Sequence, residues 1–241
     1  MRYQWLLAAL LSIPPGIGAQ TQLPSGIIVP ISLDTGLNAA KVRPGQEIRA
    51  TVMQDVPGTA IRRRAHVLGH VVRASTAANG RPQLEICFDS VRAHGTMVPF
   101  KANLRALASL LEVEEAQVPE DMSSRGLTPE TWTTQQIGGD QFYRGGGPVA
   151  AGAVTVGQVT PWGALALPLA QPGMPCHGVV GPSTQPQAMW LFSADACGVY
   201  GYPNIRIEHA GRTNPVGEIV LSSTSGKLKL GDGTALLLRI L

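Results

Sequence analysis

Apolar and polar positions alternate through the front of the chain as they do in a series of strands. Ile27, Val29, Ile31 and Leu33 repeat every second residue, with Ser32 and Asp34 on the opposite face. Pro44-Gly45 turns the chain into residues 47–56, where Ile48, Ala50 and Val52 point one way and Arg49, Thr51 and Met53 the other. A third strand covers 66–73. In a fourth, Leu84, Ile86 and Phe88 alternate with Glu85, Cys87 and Asp89. A fifth covers 97–107, where Phe100, Ala102, Leu104 and Ala106 alternate with Lys101, Asn103 and Arg105. Ala78-Asn79-Gly80-Arg81 and Arg92-Ala93-His94-Gly95 read as turns. Strands at this spacing predict a barrel or a sandwich.

The middle loses this rhythm. Glu112, Glu114, Glu115, Glu120 and Asp121 form an acidic stretch, and Thr128-Pro129-Glu130 predicts the capped start of a short helix. Residues 138–173 are rich in Gly, Pro and Ala and read as a long insertion, compatible with either ordered packing or disorder. Alternation returns at 189–192, 203–209 and 218–222. The end reads as a hairpin: 227–230, then Gly231-Asp232-Gly233, then 234–241. A chain that stops on a strand is expected to pair that strand centrally. The expected fold is all-β, a single antiparallel β-barrel or sandwich with a long Gly/Pro-rich insertion. Its segments are 20–108 and 186–241, which complete one sheet, with 109–185 inserted between them. No internal repeat of fixed period is present.

Composition adds the compartment. Arg2 is followed by an apolar stretch over 5–13, then Pro14-Pro15-Gly16 and small residues up to Ala19. That order is a secretory signal peptide over 1–19, cut after Ala19; the apolar run is too short for a permanent membrane helix. The expected location is periplasmic or secreted, with no integral membrane segment after cleavage. Cleavage of 19 of the 241 residues leaves 222, with 18 basic and 16 acidic side chains. So even a balance, without a concentrated basic face, excludes a nucleic-acid role. Export also decides how the cysteines read. Cys176 and Cys197 lie 21 apart in a Gly/Pro-rich region and form the natural disulfide, stabilising by about 3 kcal/mol in the chain-entropy model. Cys87, inside a strand pattern, reads as a free thiol.

Candidate chemistry is sparse. Arg62-Arg63-Arg64 is the densest charge cluster, a candidate contact for an anionic surface such as lipid headgroups or polysaccharide; a solvated loop or strand edge that deters edge pairing is the favoured account of it. His66 and His70 lie roughly 13 Å apart along a strand, and zinc needs three or four converging ligands, so no metal site is expected. His94, His177 and His209 are scattered. No G-x-S-x-G, H-E-x-x-H or S-x-x-K signature occurs, and Gly145-Gly146-Gly147 runs into Pro148 without a lysine. Asp55 and Asp89 end strands without aromatic subsites. Trp132, Trp162 and Trp190 could line a sugar site or pack in the core. No catalytic residue, no cofactor and no enzyme is expected.

The order of the motifs resembles a known family. The stretch from Gly26 to Leu33, Pro44-Gly45, Ala50 to Val56, Leu68-Gly69, Ile86 to Asp89 and Gly95 to Phe100 is similar to the C-terminal β-barrel of TrbI-like proteins, channel components of type IV secretion and conjugation machines. Gly233-Thr234-Ala235-Leu236-Leu237-Leu238 resembles that barrel's last strand. Val199 to Pro203 and Gly233 to Arg239 equally resemble uncharacterised secreted bacterial proteins with the same strand order. The family's membrane helix and Pro-rich arm have no counterpart here, and Ile61-Arg62-Arg63-Arg64 replaces its usual Ile-Pro-x-Gly entry. The resemblance implies an exported cell-envelope module with a structural or interaction role, whose partner is an envelope protein or a second copy. The alternative is a secreted carbohydrate- or ligand-binding protein.

Overall fold

The front strands form where alternation places them. In the computed structural model the described residues are 22–77, 80–117, 133–139, 141–143, 148–151, 153, 154–169, 185–210, 212 and 214–241. The front supplies β1 (Ile28–Leu33), β2 (Leu37–Asn38), β3 (Glu47–Val52), β4 (His66–Thr76), β5 (Pro82–Ala93), β6 (Thr96–Pro99) and β7 (Ala102–Ala108), then α1 (Leu110–Glu115). The middle supplies β8 (Thr133–Gln135), β9 (Gln141–Tyr143), β10 (Pro148–Ala151), β11 (Val154–Thr160) and β12 (Gly163–Ala166). The back supplies β13 (Gln187–Trp190), β14 (Gly198–Tyr200), β15 (Ile205–Ile207), β16 (Ile219–Ser223), β17 (Lys229–Leu230) and β18 (Ala235–Ile240).

The protein is all-β. Its main sheet runs β14-β7-β18-β1-β3-β4-β5-β16-β15, with β6 also on β5. All its ladders are antiparallel except β14 on β7, which is parallel. Nine strands laid flat would span about 38 Å. The two outermost, β14 and β15, are joined by only residues 201–204, a link that reaches about 18 Å at most. The sheet therefore rolls up. No ladder joins β14 to β15 in the strand order, so the roll stays open rather than closing as a barrel. Its interior is filled by the inward set of the alternation: Ile31, Ile48, Val52, Val67, Ile86, Leu221, Leu236 and Leu238 are all fully buried.

A second sheet, β13-β12-β11-β10-β9-β8, lies over part of the outside of the roll. After α1, the strands of the inserted region thus form a sheet, completed by β13 from the C-terminal part of the chain. Ile28, Ala106, Ala108, Ala235 and Leu237 point outward from the roll. They pack with Ala164, Met189 and Phe192 in a second apolar core. This is the reason β7 is buried at every position and β1 nearly so.

Several expectations need correction. Residues 97–107 are two strands, not one: Pro99 has no N–H to give, and the Phe100 N–H turns to Asp89 O (2.9 Å). Asn103 and Arg105 are not on a solvent face; they are 3% and 1% exposed. Leu237 pairs with Ala106 and Leu238 with Leu104, so Arg105 is the extra residue of a bulge that switches which face β7 presents. The terminal hairpin does not form. β17 pairs with β2, while β18 lies between β1 and β7. Gly231–Gly233 hands the chain from one sheet to the other, and Gly233 N–H is taken by Leu33 O (2.9 Å). β18 is central, as a terminal strand was expected to be. The helix expected near Thr128 lies outside the described residues. Glu112, Glu114 and Glu115 of the acidic stretch instead fall in α1, capped by Ser109 Oγ, which accepts from Glu112 N (3.3 Å).

Candidate binding groove

Where the second sheet meets the roll, buried polar side chains do the joining. Gln54 follows β3 and is 3% exposed. Its Oε1 accepts the Trp190 N–H at 2.6 Å, and its Nε2 donates to Ala164 O at 3.0 Å. Gln187 Oε1 accepts from Ile28 N at 3.1 Å. Arg105 reaches outward, donating through Nε to Ala196 O (2.8 Å) and through NH2 to Ala194 O (3.2 Å) and Leu169 O (3.4 Å). Burial pushes its pKa down to about 10.

Beside the Gln54 junction is a groove of about 450 Å³, lined by Met53, Arg63, Thr160, Trp162, Trp190 and Leu191 among others. Its size is that of a small-molecule site. Trp190 holds the positive φ of 54°. Opposite it stands Gly163, where any Cβ would come within 2.6 Å of the Trp190 Cα. Trp190 is 7% exposed and forms the floor, whereas Trp162 is 54% exposed at the mouth. The Arg63 guanidinium stacks over the Trp162 ring, 3.8 Å from its centroid.

Arg63 also belongs to a second depression of about 350 Å³, shared with Arg62, Arg64, Arg92 and His94. The sequence cluster Arg62, Arg63 and Arg64 is therefore brought together with Arg92 near the end of β5 and His94 in the β5–β6 turn. That turn fits its sequence: His94 and Gly95 both hold positive φ, 50° and 79°, as a two-residue hairpin of this hand requires. The loop before Arg62 is fixed by Thr59 Oγ1, which donates to Val56 O (2.9 Å) and accepts from Ile61 N (3.1 Å). Asp55 Oδ1 accepts the Arg63 backbone N–H at 2.6 Å, and Arg64 N donates to Val52 O at 2.8 Å from a φ of 67°. Among the described residues no carboxylate lies within 4.0 Å of the Arg62, Arg63, Arg64 or Arg92 guanidinium. Arg49 and Arg73, by contrast, pair with Glu47 and Glu85. Four cations that no carboxylate among the described residues pairs, set in one concave patch, give a local positive potential that a net charge near balance does not reveal.

The remaining expected residues are elsewhere. Cys197 is fully buried, its backbone held by Tyr200, whose hydroxyl accepts from Cys197 N (3.0 Å) and donates to Cys197 O (3.1 Å). Cys176, Trp132 and His177 lie outside the described residues. Cys87 is free.

The outer surface of β4 and β5 holds a cluster that reading strands one at a time misses. His70 sits directly opposite Cys87 in the ladder. Leu68 pairs with Ser90 and Gly69 with Phe88, so Asp89 is a bulge residue, and its Oδ2 lies 2.8 Å from His70 Nδ1. Cys87 Sγ is 3.4 Å from both ring nitrogens of His70 and 3.4 Å from Asp89 Oδ1. Gly69 permits the approach, because a Cβ there would collide with Cys87 O. A sulfur equidistant from both ring nitrogens cannot lie in the ring plane without striking ring carbon, so it lies over the face. No nitrogen is aimed at the thiol, and burial followed by the Asp89 hydrogen bond pushes the thiol pKa up to about 11. The trio does not have the geometry of a Cys–His nucleophile. The signal for it was the antiparallel pairing of β4 with β5: Thr76 opposite Pro82 sets the register that brings His70 against Cys87.

Comparison of the chain with protein-family models, curated proteins and solved structures gives no match.

Proposed function

We propose that the chain is an exported, non-catalytic β module of the cell envelope that holds an anionic partner at the arginine-lined depression. The observation that carries this reading is the set of four arginines lining one depression, without a carboxylate partner among the described residues, beside a fixed loop and a tight turn. Arginines meant only to solubilise an edge have no need to converge. The signal-like start and the resemblance to TrbI-like barrels and their secreted relatives support the envelope assignment. No helix among the described residues is long and apolar enough to cross a membrane. A Cys176–Cys197 bridge belongs to the same reading: Cys87 is free, whereas Cys197 is fully enclosed beside Tyr200.

A second reading, that the anionic partner is a saccharide, is favoured by Trp162. Its exposed indole lies against Arg63, which lines both depressions. A sugar face could stack at Trp162 while acidic substituents reach the arginines.

Titration of the purified protein with polygalacturonate and with neutral dextran, followed by tryptophan fluorescence, tests both readings. Binding of the acidic polymer alone, weakened by salt and by Arg62→Glu/Arg64→Glu/Arg92→Glu, is the expected result. Equal binding of dextran, or charge reversal without effect, overturns the arginine reading. Amino-terminal sequencing of the protein from the envelope fraction tests export: a start at Gln20 is expected, and an intact Met1 refutes it.

A further inference from the structure

We propose that His70, Cys87 and Asp89 form a binding site for a divalent metal ion of zinc-like, borderline-soft character. Three residues from neighbouring strands each offer one donor atom, all within 4.8 Å of one another. Zinc bonds of about 2.3 Å to sulfur and 2.0–2.2 Å to nitrogen and oxygen set tetrahedral edges of roughly 3.4–3.6 Å between donors. The thiol stands 3.4 Å from His70 Nδ1 and 3.4 Å from Asp89 Oδ1. To admit an ion, the imidazole–carboxylate pair, hydrogen-bonded at 2.8 Å through the other carboxylate oxygen, Oδ2, must open by a fraction of an ångström, and the Cys87 side chain must turn.

The donors are not adjusted by chance of a flexible loop. His70 and Cys87 are cross-strand partners, and the bulge at Asp89 sets the carboxylate beside them. Bulges of this kind re-aim side chains next to functional sites. The charge also matches. Glu85, the next outward residue on β5, is paired with Arg73 at 3.1 Å, which leaves Asp89 and the Cys87 thiolate to oppose two positive charges. As the metal–sulfur bond forms, the thiol proton leaves to solvent. The sulfur lies over the imidazole face, so Cys87 turns about its Cα–Cβ bond to meet an ion in the plane of His70. A thiolate and an imidazole select zinc-like ions over magnesium or calcium, which take oxygen cages. His70 and Asp89 are half exposed, at 43% and 49% of their side chains, which gives an ion a path in and leaves the fourth position to water.

Cobalt(II) added to the untagged, full-length protein is the test, read as the sulfur-to-cobalt charge-transfer absorption in the near ultraviolet. One equivalent is expected to saturate the band, zinc to abolish it and magnesium to leave it. Cys87→Ser should remove it, and His70→Ala or Asp89→Asn should weaken binding by about tenfold or more. Far-ultraviolet circular dichroism of Cys87→Ser establishes that the variant is folded. Absence of the band from the wild-type protein, or its persistence in folded Cys87→Ser, overturns the proposal.

Discussion

Gln54 and Trp190 are joined by a 2.6 Å hydrogen bond from the Trp190 backbone N–H to the Gln54 Oε1. They lie 136 residues apart: Gln54 follows β3 of the roll, and Trp190 ends β13 of the second sheet. With the second bond from Nε2 to Ala164 O, one side chain closes backbone groups on two adjacent strands of the second sheet. Gln54→Ala strands both groups in a buried place, at about 1–3 kcal/mol each. The expected outcome is a denaturation midpoint lowered accordingly, with the Trp190 emission shifted to the red. An unchanged midpoint would show that the junction rests on its apolar contacts alone.

Arg105 joins the two layers at another point, without a carboxylate in the bonds it makes to Ala196, Ala194 and Leu169. Arg105→Met fits the space but removes every donor, and about 3 kcal/mol of stability should go with it. Urea denaturation measures the loss. A neutral or stabilising effect would mean that burying the charge costs as much as the carbonyl bonds return.

The Cys87 thiol gives a pH dependence of fixed sign. Its ordinary value is 9.0, and in the folded protein burial and Asp89 raise it to about 11. Between those values the unfolded chain has given up the proton and the folded protein has not. The associated stability is intact below pH 9 and falls as pH rises towards 11. Alkylation of chelator-treated protein should accordingly accelerate through pH 11 instead of levelling just above 9. A rate that levels off near the ordinary value contradicts this assignment.

β18 is the strand on which both halves of the sheet depend. It pairs with β1 on one side and β7 on the other, and Leu236, Leu237 and Leu238 are fully buried. Deleting residues 235–241 should abolish the cooperative thermal transition. A truncated protein that melts sharply would show that β1 and β7 can pair without it.

Much of this architecture was legible in two-residue periodicity, and the failures have a common cause. Ile31, Ile48 and Ile86 could be assigned to one face because one sheet face excludes water and the other does not. That logic breaks where a second layer covers the outside: Asn103 and Arg105 look solvent-facing in sequence and are buried. Residues 227–230 and 234–241 read as partners because a Gly-rich turn separates them, yet β2 is the mate of β17. Local turn chemistry says that the chain reverses, not which strand it meets next. The arginine depression was half visible as Arg62-Arg63-Arg64, while Arg92 and His94 join it only through strand pairing. Cys87 was recognisable as a free thiol, but its neighbours are set by hairpin register and by a bulge that no spacing rule announces.

The open roll has a further consequence for solubility. Its outermost strands, β14 and β15, are three residues each, whereas β4 and β5 run to 11 and 12 and lie inside the strand order. A neighbouring molecule seeking to add a strand at either end of that order finds too few backbone donors and acceptors to template a ladder. The sheet resists fibril-like stacking by the brevity of its margins, without needing to be sealed.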